Sequence, residues 1–311
     1  MPDLNEPNMI AAQEEEAKQE IQTEQHLPPM GFDVIKREFK QNKLATFSLT
    51  IFIVILLIAF IAPMFMDLAE ISRVNIFARF TPPGEDGFIL GSNEGGQDIL
   101  SLLVIGTRNS LIIAIAVTII TSLIGIGLGI MAGYYGGRVD DGMMRIIDFL
   151  MILPQLMIII VITTIIQRND IPTLITVISL MGWMGITRLF RTATLSEASK
   201  DYVAASKTMG TPDWKIMFGE VMPNLSTLIF TYLTLAFAGN IGLETGLSFL
   251  GFGLPIGTPS LGTLISSANN PDVIQNKTWI WLPAVILVLV LMLSINYIGQ
   301  ALQKASDTRQ R

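Results

Sequence analysis

Residues 109–137 read NSLIIAIAVTIITSLIGIGLGIMAGYYGG and carry no charged side chain. A helix rises about 1.5 Å per residue and the hydrocarbon core of a bilayer is about 30 Å thick, so about 20 apolar residues are enough to cross it. The stretch exceeds that length and predicts a membrane-spanning helix. Within it, Gly125, Gly129 and Gly133 recur at every fourth position. This spacing strips side chains from one helix face and lets a neighbouring helix approach closely. Gly127, Gly129 and Ala132 also fit the glycine pattern of dinucleotide sites. That turn needs a buried strand before it and a helix after it, whereas here both flanks are continuous apolar helix. The glycines are read as packing surface.

Five more charge-free windows of adequate length lie on either side, at 44–66, 149–167, 171–187, 221–243 and 278–303. The expected fold is therefore an all-α membrane protein with about six transmembrane helices. The window 245–271 has the length but not the residues, because five glycines alternate with Pro255, Pro259 and Pro271. Such a backbone would be left unpaired against lipid. It is read as a re-entrant or outer loop shielded by protein.

Lys and Arg collect in the cytoplasmic loops of membrane proteins. With six spans and the N-terminus inside, the inner segments hold Lys18, Lys36, Arg37, Lys40, Lys43, Arg138, Arg145, Arg188, Arg191, Lys200, Lys207, Lys215, Lys304, Arg309 and Arg311. The outer segments hold only Arg73, Arg79, Arg108, Arg168 and Lys277. A seventh span would weaken this bias, so both termini are expected to be cytosolic. The resulting plan has a polar, largely disordered tail at 1–40, a first span at 41–66 and an extracytoplasmic segment at 67–108. A core at 109–303 follows, with a cytosolic loop at 188–222 and an outer loop at 245–277, and 304–311 form a cytosolic end.

Half of the residues are hydrophobic and 15% are charged, with a mean hydropathy of +0.54. That is too apolar for a soluble enzyme of this length. The net charge of −6 comes largely from the tail, and nothing basic enough for nucleic acid is present. There is no Cys, and the single His26 lies in the tail, so no metal site is expected. No Gly-Lys-Ser or Gly-Lys-Thr phosphate loop occurs, so any ATP must be handled by another subunit. No lysine stands within the charge-free windows to activate a serine nucleophile, and the chain is read as a non-enzyme. An ion-coupled secondary transporter is the rival class, and it would use intramembrane acids. Asp148 and Glu244 are the candidates, both at span edges.

The segment 188–222 is unusually apolar for a loop. Ser199 is a candidate cap for a short helix through Met209, Gly210 a left-handed stop, and Thr211, Pro212 and Asp213 the start of a second helix. Tyr202, Val203, Met209, Trp214 and Phe218 surround this corner. Two readings stand: the side chains pack on helix ends or the membrane interface, or they form a docking knob for a partner protein.

The stretch DYVAASKTMG at 201–210, followed by MPN at 222–224, resembles the EAA loop of ABC-importer permeases. Ala204 stands where that motif has glutamate and Ser206 where it has its second alanine, while Ala205, Gly210 and Pro223 match. LGSNEGGQDILS at 90–101 with GTR at 106–108, AGYYGG at 132–137, MRIID at 144–148 and LSFLGFG at 247–253 are similar to signatures of the dipeptide, oligopeptide and nickel branch, in its second permease. The resemblance implies type I ABC-importer architecture in a bacterial cell membrane. It also implies a second permease subunit, two cytosolic ATPase subunits that bind ATP and Mg, and an extracytoplasmic substrate-binding protein. The long tail and the Ala-Ser variant of the loop point to a Gram-positive membrane. The cargo is expected to be oligopeptides or dipeptides, with nickel or another small solute as the alternative. Carried onto this sequence, the ATPase-coupling loop comprises Tyr202, Val203, Ala204, Ala205, Ser206, Gly210, Trp214, Phe218 and Pro223. Asn240 and Glu244 are candidates for the translocation path or an outer gate.

Overall fold

The computed structural model of the chain describes residues 32–67, 71, 73–166, 170–255 and 257–307. The expectations for residues 1–31, with His26, and for Arg168 and Arg309 fall outside these residues, whereas 32–40, expected in the disordered tail, are helical. Helix α1 (Phe32–Gln41) stops at Asn42, whose extended backbone and side-chain oxygen, 3.2 Å from the Ala45 amide, cap α2 (Lys43–Ile61). A 3₁₀ turn over Ala62–Met64 ends that first long helix.

Helix α3 (Ile99–Tyr135) is the longest element, ~55 Å at 1.5 Å per residue. Asp98 begins it by accepting from the Ser101 amide at 2.9 Å and the Ser101 hydroxyl at 2.6 Å. Gly136, at φ +60°, ends it. The helix therefore starts ten residues before the charge-free window, and 99–108, expected in the extracytoplasmic segment, are helical. Among the other described residues of that segment, Ser92 Oγ lies 2.8 Å from the Thr81 amide and Trp279 Nε1 donates to the Ser92 carbonyl at 3.3 Å.

The window 149–167 is not one straight span. Helix α4 (Gly137–Met151) and α5 (Gln155–Ile166) meet at a 73° bend. Pro154 lacks an amide donor and disfavours helical geometry at Leu153, which accounts for the break. Helix α6 (Ile171–Ala198) is capped by Asp170 and runs well past the expected end at 187. Two short helices, α7 (Asp201–Thr208) and α8 (Asp213–Ile216), follow, and the chain then passes through a π turn (Met217–Val221) and a last turn (Met222–Asn224). Helix α9 (Ser226–Phe249) absorbs the first residues of the Gly/Pro-rich stretch. That stretch also contains α10 (Leu261–Ser266), with α11 (Pro271–Asn276) following. It is thus more ordered than a loop, because the Ser260 and Thr263 side chains form a reciprocal capping box around the start of α10. Helix α12 (Leu282–Asp307) completes the bundle.

Five helices among the described residues are long and apolar enough to cross a membrane, and a sixth crossing is formed if α4 and α5 are taken as one bent span. Among the described residues there is no strand beyond an isolated bridge between Ser92 and Asp98. The glycine stripe on α3 does what its spacing predicts. A Cβ on Gly125 would lie 2.5 Å from Ile186 Cβ, on Gly129 2.8 Å from the Thr187 carbonyl, and on Gly133 2.6 Å from the Arg191 carbonyl, so α6 lies directly on this face. Without a hydrophobic drive between helices in lipid, such close backbone approach supplies the packing energy.

Candidate functional site

The corner begins where α6 ends. Ser199 does not cap α7 as expected: its hydroxyl donates back to the Ser196 carbonyl at 2.8 Å, and it closes α6. Lys200 takes the cap position in extended conformation with no side-chain cap, and its ammonium pairs instead with Glu197 at 2.8 Å. At the other end of α7, the Gly210 amide donates to Lys207 and the Thr211 amide to Ser206, with Gly210 at φ +80°. These two bonds form the paired terminator that a left-handed residue permits, and they turn the chain sharply into Pro212 and α8.

The nine residues expected to form the coupling loop divide into two sets. Val203, 1% exposed, and Ser206 point into the bundle, and Tyr202 is half-buried. Ala204, Ala205, Gly210, Trp214, Phe218 and Pro223 are exposed. Trp214 is 65% exposed, Phe218 46% and the neighbouring Met209 76%, so the apolar knob stands clear of the chain's own core. Val203 and Ser206 thus pack on the bundle, while Trp214, Phe218 and Met209 are left uncovered by it.

The inward set is fixed by polar bonds. Ser206 Oγ donates to Glu220 at 2.7 Å, across to the π turn. The Tyr202 hydroxyl donates to Glu197 at 3.1 Å and accepts from the Asn224 amide at 3.2 Å. Burial and the Glu197 carboxylate together push that hydroxyl up to about 12, although the Asn224 bond acts the other way. Tyr134, at the end of α3, donates to Asp213 Oδ1 at 2.8 Å, and the Lys207 ammonium sits 4.3 Å from its ring centroid. Arg191 on α6 reaches Asp140 on α4, with Nε 2.7 Å from Oδ1, and Arg188 pairs with Asp148. Asp148 is thus an exposed ion-pair partner within α4.

At the far end of α3 lies a buried polar knot. Glu244, expected near the edge of its span, sits inside α9 at 0% exposure. One carboxylate oxygen accepts from Ser110 Oγ of α3 at 2.7 Å, the other from Ser248 Oγ of α9 at 2.8 Å. Ser110 Oγ in turn accepts from the Leu261 amide at 3.1 Å, at the start of α10. The neighbouring Asn109 amide donates to the Pro259 carbonyl at 2.8 Å. A Cβ on Gly262 would fall 2.5 Å from Ser248 Cβ, so α10 is seated tightly against α9. Asn240, one turn along α9, donates to Thr118 Oγ1 of α3 at 2.9 Å. Asn240 and Glu244 thus both bind α3.

Sequence reasoning missed Tyr134, Glu220, Ser110 and the Arg191–Asp140 pair. Tyr134 lay within the AGYYGG signature, whose position at a helix end next to the corner was the available signal. The pairing of Ser110 with Glu244, far apart in sequence, left none.

A helical bundle of this kind, with several helices long and apolar enough to cross a bilayer, defines an integral membrane protein. The chain belongs to the family described as binding-protein-dependent transport system inner membrane component, whose model matches residues 125–311. Residues 33–83 match the N-terminal TM domain of oligopeptide transport permease C. The chain is 51% identical to the oligopeptide transport system permease protein OppC of Lactococcus lactis subsp. lactis (strain IL1403) over 89% of its length and 94% of the relative. It is 36% identical to the oligopeptide transport system permease protein AmiD of Streptococcus pneumoniae, over 88% of both chains. It is also 31% identical to the dipeptide transport system permease protein DppC of Haemophilus influenzae, over 87% of this chain and 92% of that one. The family resemblance and the helical membrane fold read from the sequence are thereby borne out.

Proposed function

We propose that this chain forms half of the membrane pathway of an ATP-driven peptide importer, and that an ATPase subunit grips it at the corner around Gly210. The observation that carries the reading is the division of that corner. One side is bonded to the bundle through Ser206, Tyr202 and Tyr134, and the other offers Met209, Trp214 and Phe218 without cover. A rigid apolar projection is the form a partner's groove can hold, since buried aromatic anchors dominate many interfaces. The names of the relatives, oligopeptide and dipeptide permeases, support peptide as cargo. The corner lies on the cytosolic side in this reading, with both chain ends, and a second permease and an extracytoplasmic binding protein complete the assembly. ATP and its Mg belong to the ATPase subunits.

ATP binding then closes the two ATPases, draws the corners together and switches the pathway from inward-open to outward-open, a population shift driven by partner binding energy. Helix α9 lines the pathway or faces the second permease. It is the least apolar of the five long helices and also the least buried, which suits a wet or protein-covered surface better than lipid. The test is uptake of a labelled oligopeptide, together with retention of the ATPase on purification, in Trp214→Ala and Gly210→Val. Loss of both properties from membranes that still hold the chain supports the reading. Normal uptake and normal retention in both variants overturn it.

A further inference from the structure

We propose that α3 is the strut that carries the corner's displacement to α10 at the opposite end, and that Tyr134 is the positioning residue that engages it; the inference rests on the importer reading above. Three routes lead away from the corner. The route into α6 passes the helix end at Ser199 and the extended Lys200. The route into α9 passes the π turn and Leu225, which stands outside helical geometry at ψ +5°. Both covalent routes therefore pass through a break in helical geometry, the first of them spanned by the Tyr202–Glu197 bond. The third route is the side chain of Tyr134, fixed to an unbroken helix.

Tyr134 is held from both arms of the corner. Its hydroxyl donates to Asp213 at the start of α8, and its ring carries the Lys207 ammonium from α7. The ring is 7% exposed and belongs to the same buried cluster as Val203, Ile216, Met217 and Val221. A shift of the corner must therefore push on α3 or break these contacts. At its other end α3 presents Ser110, which bonds Glu244 of α9 and the Leu261 amide of α10 at once, and Asn109, which bonds Pro259. Ser110 and Tyr134 are 24 positions apart on one helix, about 36 Å along its axis, so the two joints lie roughly a hydrocarbon thickness apart. The two ends of α3 thus carry one polar joint to the corner and one to α9 and α10.

The test uses the whole transporter, this chain with its partner subunits, reconstituted in proteoliposomes. Tyr134→Phe keeps the ring beneath Lys207 and removes only the bond to Asp213. Ser110→Ala breaks the opposite joint and leaves the corner intact. Three quantities are read: ATPase retention, peptide transported per ATP hydrolysed, and the nucleotide-dependent change in thiol labelling of a Ser267→Cys reporter just after α10. Each variant should retain the ATPase while transport per ATP falls roughly fivefold, the scale of one hydrogen bond. The reporter's response should shrink in step. The double variant should be no worse than the poorer single one, because both cut the same strut. Additive losses, an unchanged transport-to-ATP ratio in either variant, or loss of ATPase retention in Tyr134→Phe would overturn the inference. Failure of the importer reading would look different, because the unmodified transporter would then show no ATP-dependent peptide uptake.

Discussion

The corner at Gly210 and the knot at Glu244 stand at opposite ends of the bundle and are built on opposite plans. At the corner, polar side chains are bonded on the inward side and large apolar ones face outward without cover from the chain itself. At the knot, a carboxylate with no exposure has both oxygens satisfied by serine hydroxyls, and one of those serines holds the backbone of α10 as well. A buried carboxylate stripped of its donors is costly, whereas an exposed tryptophan stripped of its ring costs the isolated chain little. Removing the Glu244 carboxylate should therefore cost stability first, whereas removing an exposed apolar side chain of the corner should cost coupling with little loss of stability.

The largest stability effect is expected for Glu244→Ala, which leaves two buried hydroxyls without their acceptor and opens a cavity beside α10. A loss of about 2–4 kcal/mol follows from the usual cost of stranded buried groups. It can be read as a lowered midpoint of thermal unfolding in detergent, and an unchanged midpoint would remove the knot from the comparison. Next is Gly129→Ala on the α3–α6 contact, where the added Cβ would lie 2.8 Å from both Phe190 Cβ and the Thr187 carbonyl. Separating the two helices should cost about 1–3 kcal/mol by the same measurement. Gly210→Val follows at roughly 1–2 kcal/mol. Its Cβ would meet nothing within 4 Å, so the cost comes only from forcing a branched residue to φ +80°. Here the unfolding midpoint should move slightly while ATPase retention falls. Trp214→Ala should leave stability within about 0.5 kcal/mol of the original chain and still weaken ATPase binding. A Trp214→Ala chain that unfolds early would mean that the corner is core and not interface.

The sequence made the spans legible because lipid demands length and apolarity, which composition records directly. The glycine stripe at 125, 129 and 133 was legible for the same reason, since four-residue spacing has one geometric meaning on a helix. The stop at Gly210 was readable from local chemistry, but the Ser199 cap was misplaced by one residue because the hydroxyl turned back to its own helix. The bend at Pro154 was hidden within a window that satisfied the length rule. The knot was unreadable because Ser110, Glu244 and Leu261 are joined only by tertiary packing, which periodicity does not encode. Tyr134 lay in a quoted signature, but its bond to Asp213 depends on where α8 folds back.

The most direct measurement places a single cysteine at Ala205, an exposed corner position in a chain that has no cysteine of its own. A membrane-impermeant maleimide is applied to intact cells and to inside-out vesicles, with and without the ATPase subunits. Labelling only in inside-out vesicles, and protection once the ATPases are bound, is the expected result. Labelling of intact cells, or equal labelling with and without the ATPases, would contradict the assignment of this corner as the cytosolic coupling site.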